Sequence, residues 1–161
     1  GKAQPDGGQM FGRVSARVRR REGFTLIELL VVIVIIGILA AIAISAYVGQ
    51  RHKAEDAAAV SVVRSAMITI ESAYADVHDF SAIVDDDLKK IETSITFTDA
   101  ANAATAPTAN AGANTVDWHA TSTAAYELGS RSESGKRYGV IVDKNASGGN
   151  TFYVNGEVHD W

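Results

Sequence analysis

The sequence predicts an α+β fold: one long N-terminal helix, apolar in its first half and amphipathic in its second, packed on a small C-terminal antiparallel β-sheet. Three observations carry this. From 29 to 44 every residue is apolar or Gly37. Beyond that run, Val60, Val63, Met67, Ile70, Tyr74 and Val77 recur at steps of three and four, which draws one apolar stripe on a helix. The last third alternates short β-branched and aromatic runs with turn residues, the pattern of a β-meander.

The chain opens with residues 1–22, rich in Gly, Gln and Arg and without apolar periodicity. They are expected to form a disordered processing segment. Gly1 holds the place of an initiator Met, so a trimmed or missing start is expected. Next comes GFTLIELLVVIVIIGILAAIAISAY, broken only by Thr25, Glu28 and Ser45. As a helix, 24–48 would be about 37 Å long, enough to cross a hydrocarbon core about 30 Å thick. Glu28 is the one acid in the run, and an unpaired carboxylate at that depth is costly. It is therefore a candidate functional residue. Snorkelling to the headgroups is the plainer alternative.

Charge is unevenly spread. Up to Gly23, six basic residues stand against two acidic ones, a balance of +4; the remaining nine basic and seventeen acidic residues give −8. A basic flank beside an apolar helix predicts a cytoplasmic leader and an outward-facing remainder. The acidic exterior argues against nucleic acid as a partner, because phosphate binding needs basic patches. The absence of Cys excludes disulfides, thiolate metal sites and Cys nucleophiles. An ordinary secretory signal would have a shorter apolar segment followed by a small-residue cleavage site. Here Gly23 precedes the apolar run, so cleavage there would remove the charges and keep the helix.

Arg19-Arg20-Arg21-Glu22, Gly23, Phe24 and Glu28, with Thr25, Leu26, Ile27, Leu29 and the 37–44 run, resemble the N-terminal signature of type IV pilins and pseudopilins. The likeness covers about a third of the chain in one register. One departure is Ser45, where the family commonly has Pro. Another is the lack of the disulfide that staples many family heads. The resemblance implies cleavage by a prepilin peptidase between Gly23 and Phe24 and N-methylation of Phe24. It implies assembly into a helical homopolymer by a membrane platform with its own cytoplasmic ATPase, and charge pairing of Glu28 with a Phe24 amine. Gly37 and nearby Ala residues would let apolar helices approach closely. The domains expected are a leader (1–23), a transmembrane and assembly helix (24–48) and a globular head (49–161).

Within the head, the helix is expected to end near His78. Ser81 is expected to cap a short helix through Lys90, opened by Asp85, Asp86 and Asp87 and closed by Lys89 and Lys90, acid before base as the helix dipole prefers. Residues 91–98 alternate as a strand, and 99–114 read as a surface loop poor in core residues. Strands follow at 116–121, 124–128, 138–143 and 151–154; Asn155-Gly156 signals a hairpin into 157–161.

No catalytic constellation is present, and no cofactor or metal site is expected. Gly129 to Arg137 misses a phosphate loop by one residue of spacing and lacks Ser or Thr after Lys136. Asp143, Asn145, Ser147 and Gly148 open like a calcium loop, but its twelfth position is Val154 instead of Glu. Asp85 to Asp87 read as a solvated helix start, with cation binding as the alternative. His52, His78, His119 and His159 show no ligand spacing. Trp118, Trp161, Tyr138 and Phe152 read as sheet core, with an exposed adhesive patch as the alternative.

The expected function is a structural subunit of an extracellular type IV pilus-like filament, held as a single-pass protein of the cytoplasmic membrane before assembly. A pseudopilin of a type II secretion or DNA-uptake system shares every N-terminal feature. A membrane-tethered binding or adhesion module is the alternative of another class, and it requires an uncleaved leader and no polymer.

Overall fold

The computed structural model describes residues 1, 23–147 and 149–159. The expectations for residues 2–22, Gly148 and Trp161 lie outside them. The chain divides into a unit through Ala41 and a unit from Ile42. Helix α1 (Leu26–Val77) belongs to both and is helical without a break through Ser45. Ser lacks the ring and the missing donor by which Pro breaks a helix. The Ser45 hydroxyl donates back to the Ile42 carbonyl at 2.9 Å, a local bond that helices accommodate with slight bending.

In the second unit, a 3-10 turn (Phe80–Ala82) and α2 (Asp85–Ile91) lead into strands β1 (Thr96–Asp99), β2 (Thr115–Ser122), β3 (Ala125–Arg131), β4 (Arg137–Asp143), β5 (Thr151–Val154) and β6 (Glu157–Val158). They form one sheet in chain order. Strands β2 to β6 pair antiparallel, as the meander pattern predicts. The edge differs: β1 pairs β2 in parallel, with Phe97 beside Val116. Parallel neighbours need a long crossover, and the loop 100–114 supplies one without a full helix. The closing hairpin is as expected. Asn155 and Gly156 both take positive φ, 54° and 86°, the signature of a type I′ turn.

The buried line of α1 is Ala59, Val63, Ala66, Ile70 and Ala73, joined by Thr69. This shifts the expected stripe. Val60, Met67 and Tyr74 flank the line half-buried, and Val77 is exposed. The contact line is mostly Ala, which brings helix and sheet close while the larger residues pack at its sides. Opposite it lie Val116, Trp118, Tyr126, Leu128, Val140 and Val142. Phe80 is wedged between Tyr74 and Tyr126, at centroid distances of 4.1 and 4.7 Å. Burial, with help from the Glu71 charge, pushes the Tyr126 hydroxyl well above its ordinary pKa.

The loop 100–114 corrects the expectation of a segment poor in core residues. Ala103, Ala104, Pro107 and Ala111 are buried. The loop lies against the other face of the sheet. The Asn102 amide donates to Glu127 Oε1 at 2.6 Å. Asp117 Oδ2 accepts from the amide and hydroxyl of Thr108 and from the Ala109 amide. Three layers result, helix, sheet and loop, which is why β3 is buried at six consecutive positions.

Two local expectations also shift. Ser81 sits inside the 3-10 turn and donates to Asp79 Oδ1, so it does not cap α2, whose N-cap is Val84 with no side-chain bond. Ile91 ends α2, and the strand begins only at Thr96.

Candidate functional site

The first unit holds the features that resemble a filament subunit. Gly23 is exposed and Phe24 is 90% exposed, immediately before the helix. Thr25 and Glu28 close the first turn. Glu28 Oε2 accepts from the Thr25 amide and the Thr25 hydroxyl, both at 2.9 Å, and the Glu28 amide donates to Thr25 Oγ1 at 3.2 Å. This is a capping box, Thr at the N-cap and Glu at the third helical position, each side chain satisfying the other's backbone amide. Thr25 was not among the expected site residues. Its signal was present as Thr-x-x-Glu before an apolar run.

From Gly23 to Ala41 every residue of this unit is exposed. Leu26, Ile27, Leu29, Ile33, Ile38 and Leu39 are each at least 59% exposed. A helix apolar all round and covered nowhere requires lipid or other protein around it. It is the one helix among the described residues long and apolar enough to cross a membrane. A Cβ on Gly37 would meet nothing within 4 Å, so no contact among the described residues accounts for Gly at this position.

In the second unit several of the candidate groups named from the sequence are held in structural contacts. No group of three His, Asp or Glu side chains among the described residues could hold a metal. Asp85 is bonded instead of free: Trp118 Nε1 donates to its Oδ1 at 2.6 Å. That bond fastens α2 to β2 and lets a buried indole satisfy its donor. Trp118 and Tyr138 are core residues, and Phe152 packs against the core. His119 Nδ1 lies 2.7 Å from Asp99 Oδ1, and His52 lies beside Glu55. Asp99 and His119 line a cavity shared with Ser81, Asp85 and Asp86. The near-miss phosphate loop is the β3–β4 turn, where Asp56 of α1 binds Ser134 and Lys136.

A family model described as the prokaryotic N-terminal methylation motif matches residues 18–44. The type II secretion system core protein G of Aeromonas hydrophila is 51% identical over 43 residues, 27% of this chain and 30% of that protein. The core protein G of Dickeya chrysanthemi is 49% identical over 43 residues, 27% of this chain and 28% of its own length. No solved structure matches. The matched stretch thus spans less than a third of either relative. Within it, the chain carries the prokaryotic N-terminal methylation motif that its apolar helix, Gly-Phe junction and Glu28 resemble.

Proposed function

We propose that this chain is a structural subunit, not an enzyme, of a type IV pilus-like filament. A membrane prepilin peptidase cuts between Gly23 and Phe24, and Phe24 is N-methylated. The single observation that supports this best is an apolar helix uncovered on every side, carrying the N-terminal methylation motif. In the cytoplasmic membrane such a helix is covered by lipid. In a filament identical helices replace the lipid, and Gly37 lets them approach closely. Glu28 pairs with the Phe24 amine of its own or a neighbouring chain. A separate assembly platform with its cytoplasmic ATPase moves the subunit from membrane to extracellular filament.

A second reading has its own support. The two similar proteins are core components of type II secretion systems, which favours a pseudopilin working within the envelope. Both readings require the same processed N-terminus. Intact-mass and N-terminal analysis of membrane material should find a methylated Phe24. A retained leader would overturn both and leave a tethered binding module. Labelling with an antibody to the head then separates long surface fibres from an envelope-confined structure.

A further inference from the structure

We propose that Asn145, in the turn between β4 and β5, is an acceptor site for an N-linked glycan. Asn145-Ala146-Ser147 satisfies the Asn-x-Ser/Thr pattern with x other than Pro, and no other Asn in the chain does. The pattern is short and arises often by chance, so its placement decides.

That placement is favourable. Residues 144–147 are all exposed. The base of the turn is fixed: the Lys144 amide donates to the Ala124 carbonyl at 2.9 Å, and its ammonium group pairs with Glu71. The Asn145 amide donates to Asp143 Oδ1 at 2.8 Å, and the Ala146 amide to the Asp143 carbonyl at 3.2 Å. These bonds use backbone donors only. The carboxamide of Asn145 and the hydroxyl of Ser147 bond to no described residue. The two groups a glycan transferase must handle are therefore presented free on an anchored turn. Asp143, Asn145 and Ser147, which fail as a calcium loop for want of an acid at Val154, acquire a role that needs no metal.

The donor is an oligosaccharide carried on a polyprenyl diphosphate. The Asn145 carboxamide nitrogen attacks the anomeric carbon. A C–N bond forms and the C–O bond to the diphosphate breaks. The amide proton passes to a base of the transferase, and the polyprenyl diphosphate leaves; nothing is oxidised or reduced. In cells the step rests on the head facing outward, as proposed above.

The test uses the full chain in detergent with a purified oligosaccharyltransferase and its polyprenyl-diphosphate-linked oligosaccharide, read by intact mass and peptide mapping. One glycan increment is expected on Asn145. It should vanish in Asn145→Gln and Ser147→Ala and persist in Ser147→Thr, with unchanged melting in all three because these side chains hold no structural bond. No increment on the wild-type chain, or one that survives Asn145→Gln, overturns the proposal. The same comparison in membranes of a bacterium expressing the transferase tests orientation separately. Transfer in detergent without transfer in those cells would refute the outward-facing head and leave the acceptor site standing.

Discussion

Gly139 of β4 meets the backbone of Ala104 so closely that a Cβ on Gly139 would lie 2.0 Å from the Ala104 carbonyl oxygen. Gly129 on β3 stands in the same relation to Ala103, at 2.1 Å. The strand pairing sets Gly129 opposite Gly139. Side by side, the two glycines form a flat strip on which the loop 100–114 rests. The obstructing atoms are backbone, which cannot swing aside as the end of a side chain can.

Gly139→Ala should therefore lift the loop and destabilise the head by about 1–3 kcal/mol, the usual cost of overpacking. Thermal melting should fall by several degrees, and amide exchange should quicken at Asn102 and Ala109, whose donors bind Glu127 and Asp117. Gly37→Ala is the control, since nothing lies within 4 Å of that position. Equal melting of both variants would show that the loop is not pressed on the strip.

Asp56 gives the head an acid-sensitive tie. Its side chain is 14% exposed. Burial by itself raises its pKa. Bonds from Lys136 and from the Ser134 and Ser132 hydroxyls outweigh this and hold the carboxyl below its ordinary value. A depressed folded-state pKa adds stability above the unfolded value of about 3.9, and that stability is lost as pH falls through the folded value. Asp56→Asn should cost about 1.5–3 kcal/mol at neutral pH, the range for hydrogen bonds to a charged group. It should also flatten the acid limb of a denaturation series from pH 7 down to 2. An acid limb as steep as that of the wild type would assign the effect to another carboxylate.

How much of this was legible beforehand varies by element. Local signals served well: the apolar run, Asn155-Gly156 and the 151–154 strand each declare themselves within a few residues. The loop 100–114 was misjudged because Ala, Asn and Thr look like surface filler. Its burial depends on Gly129 and Gly139, far along the chain, being flat beneath it. The α1 stripe was legible in Val63 and Ile70, with Val60, Met67 and Tyr74 packed beside the contact line, but its centre was offset. Periodicity picks out large residues, whereas the contact line runs over Ala59, Ala66 and Ala73. Asp85 looked like a solvated helix start because its partner Trp118 is remote in sequence. The Thr25–Glu28 box, by contrast, is local and legible as Thr-x-x-Glu before an apolar run.

A chain beginning at Gly49 should be soluble and folded. All buried residues of α1 lie from Ala59 onward, and 49–54 are exposed. The cut removes the apolar run and keeps the face that packs on the sheet. With no Cys in the sequence, its melting temperature should be the same with and without reductant. A dispersed NMR spectrum checks the fold; a collapsed one would place the head boundary elsewhere.

The final prediction separates two jobs that Glu28 performs. Its carboxylate caps the helix by accepting from the Thr25 amide and hydroxyl. By the proposed assembly it also supplies a negative charge for the Phe24 amine. Gln at this position keeps an acceptor oxygen and can still close the box, because capping boxes accept Glu or Gln, but it carries no charge. Leu removes both. Thr25→Ala removes the reciprocal cap and leaves the charge, at about 0.5–2 kcal/mol of helix-end stability. If charge pairing sets the register of the polymer, Glu28→Gln and Glu28→Leu should both lose filament yield steeply. Thr25→Ala should lose only part of it, and cleavage between Gly23 and Phe24 should persist in all three. An uncompensated carboxylate in low dielectric costs several kcal/mol, so the pair has enough energy to choose one alignment among many that apolar packing leaves equal. Filament yield can be read by shearing and immunoblotting, with no wild-type copy present. Normal yield from Glu28→Gln together with loss in Glu28→Leu would show that Glu28 serves assembly through the helix cap, and the charge pair would be dispensable.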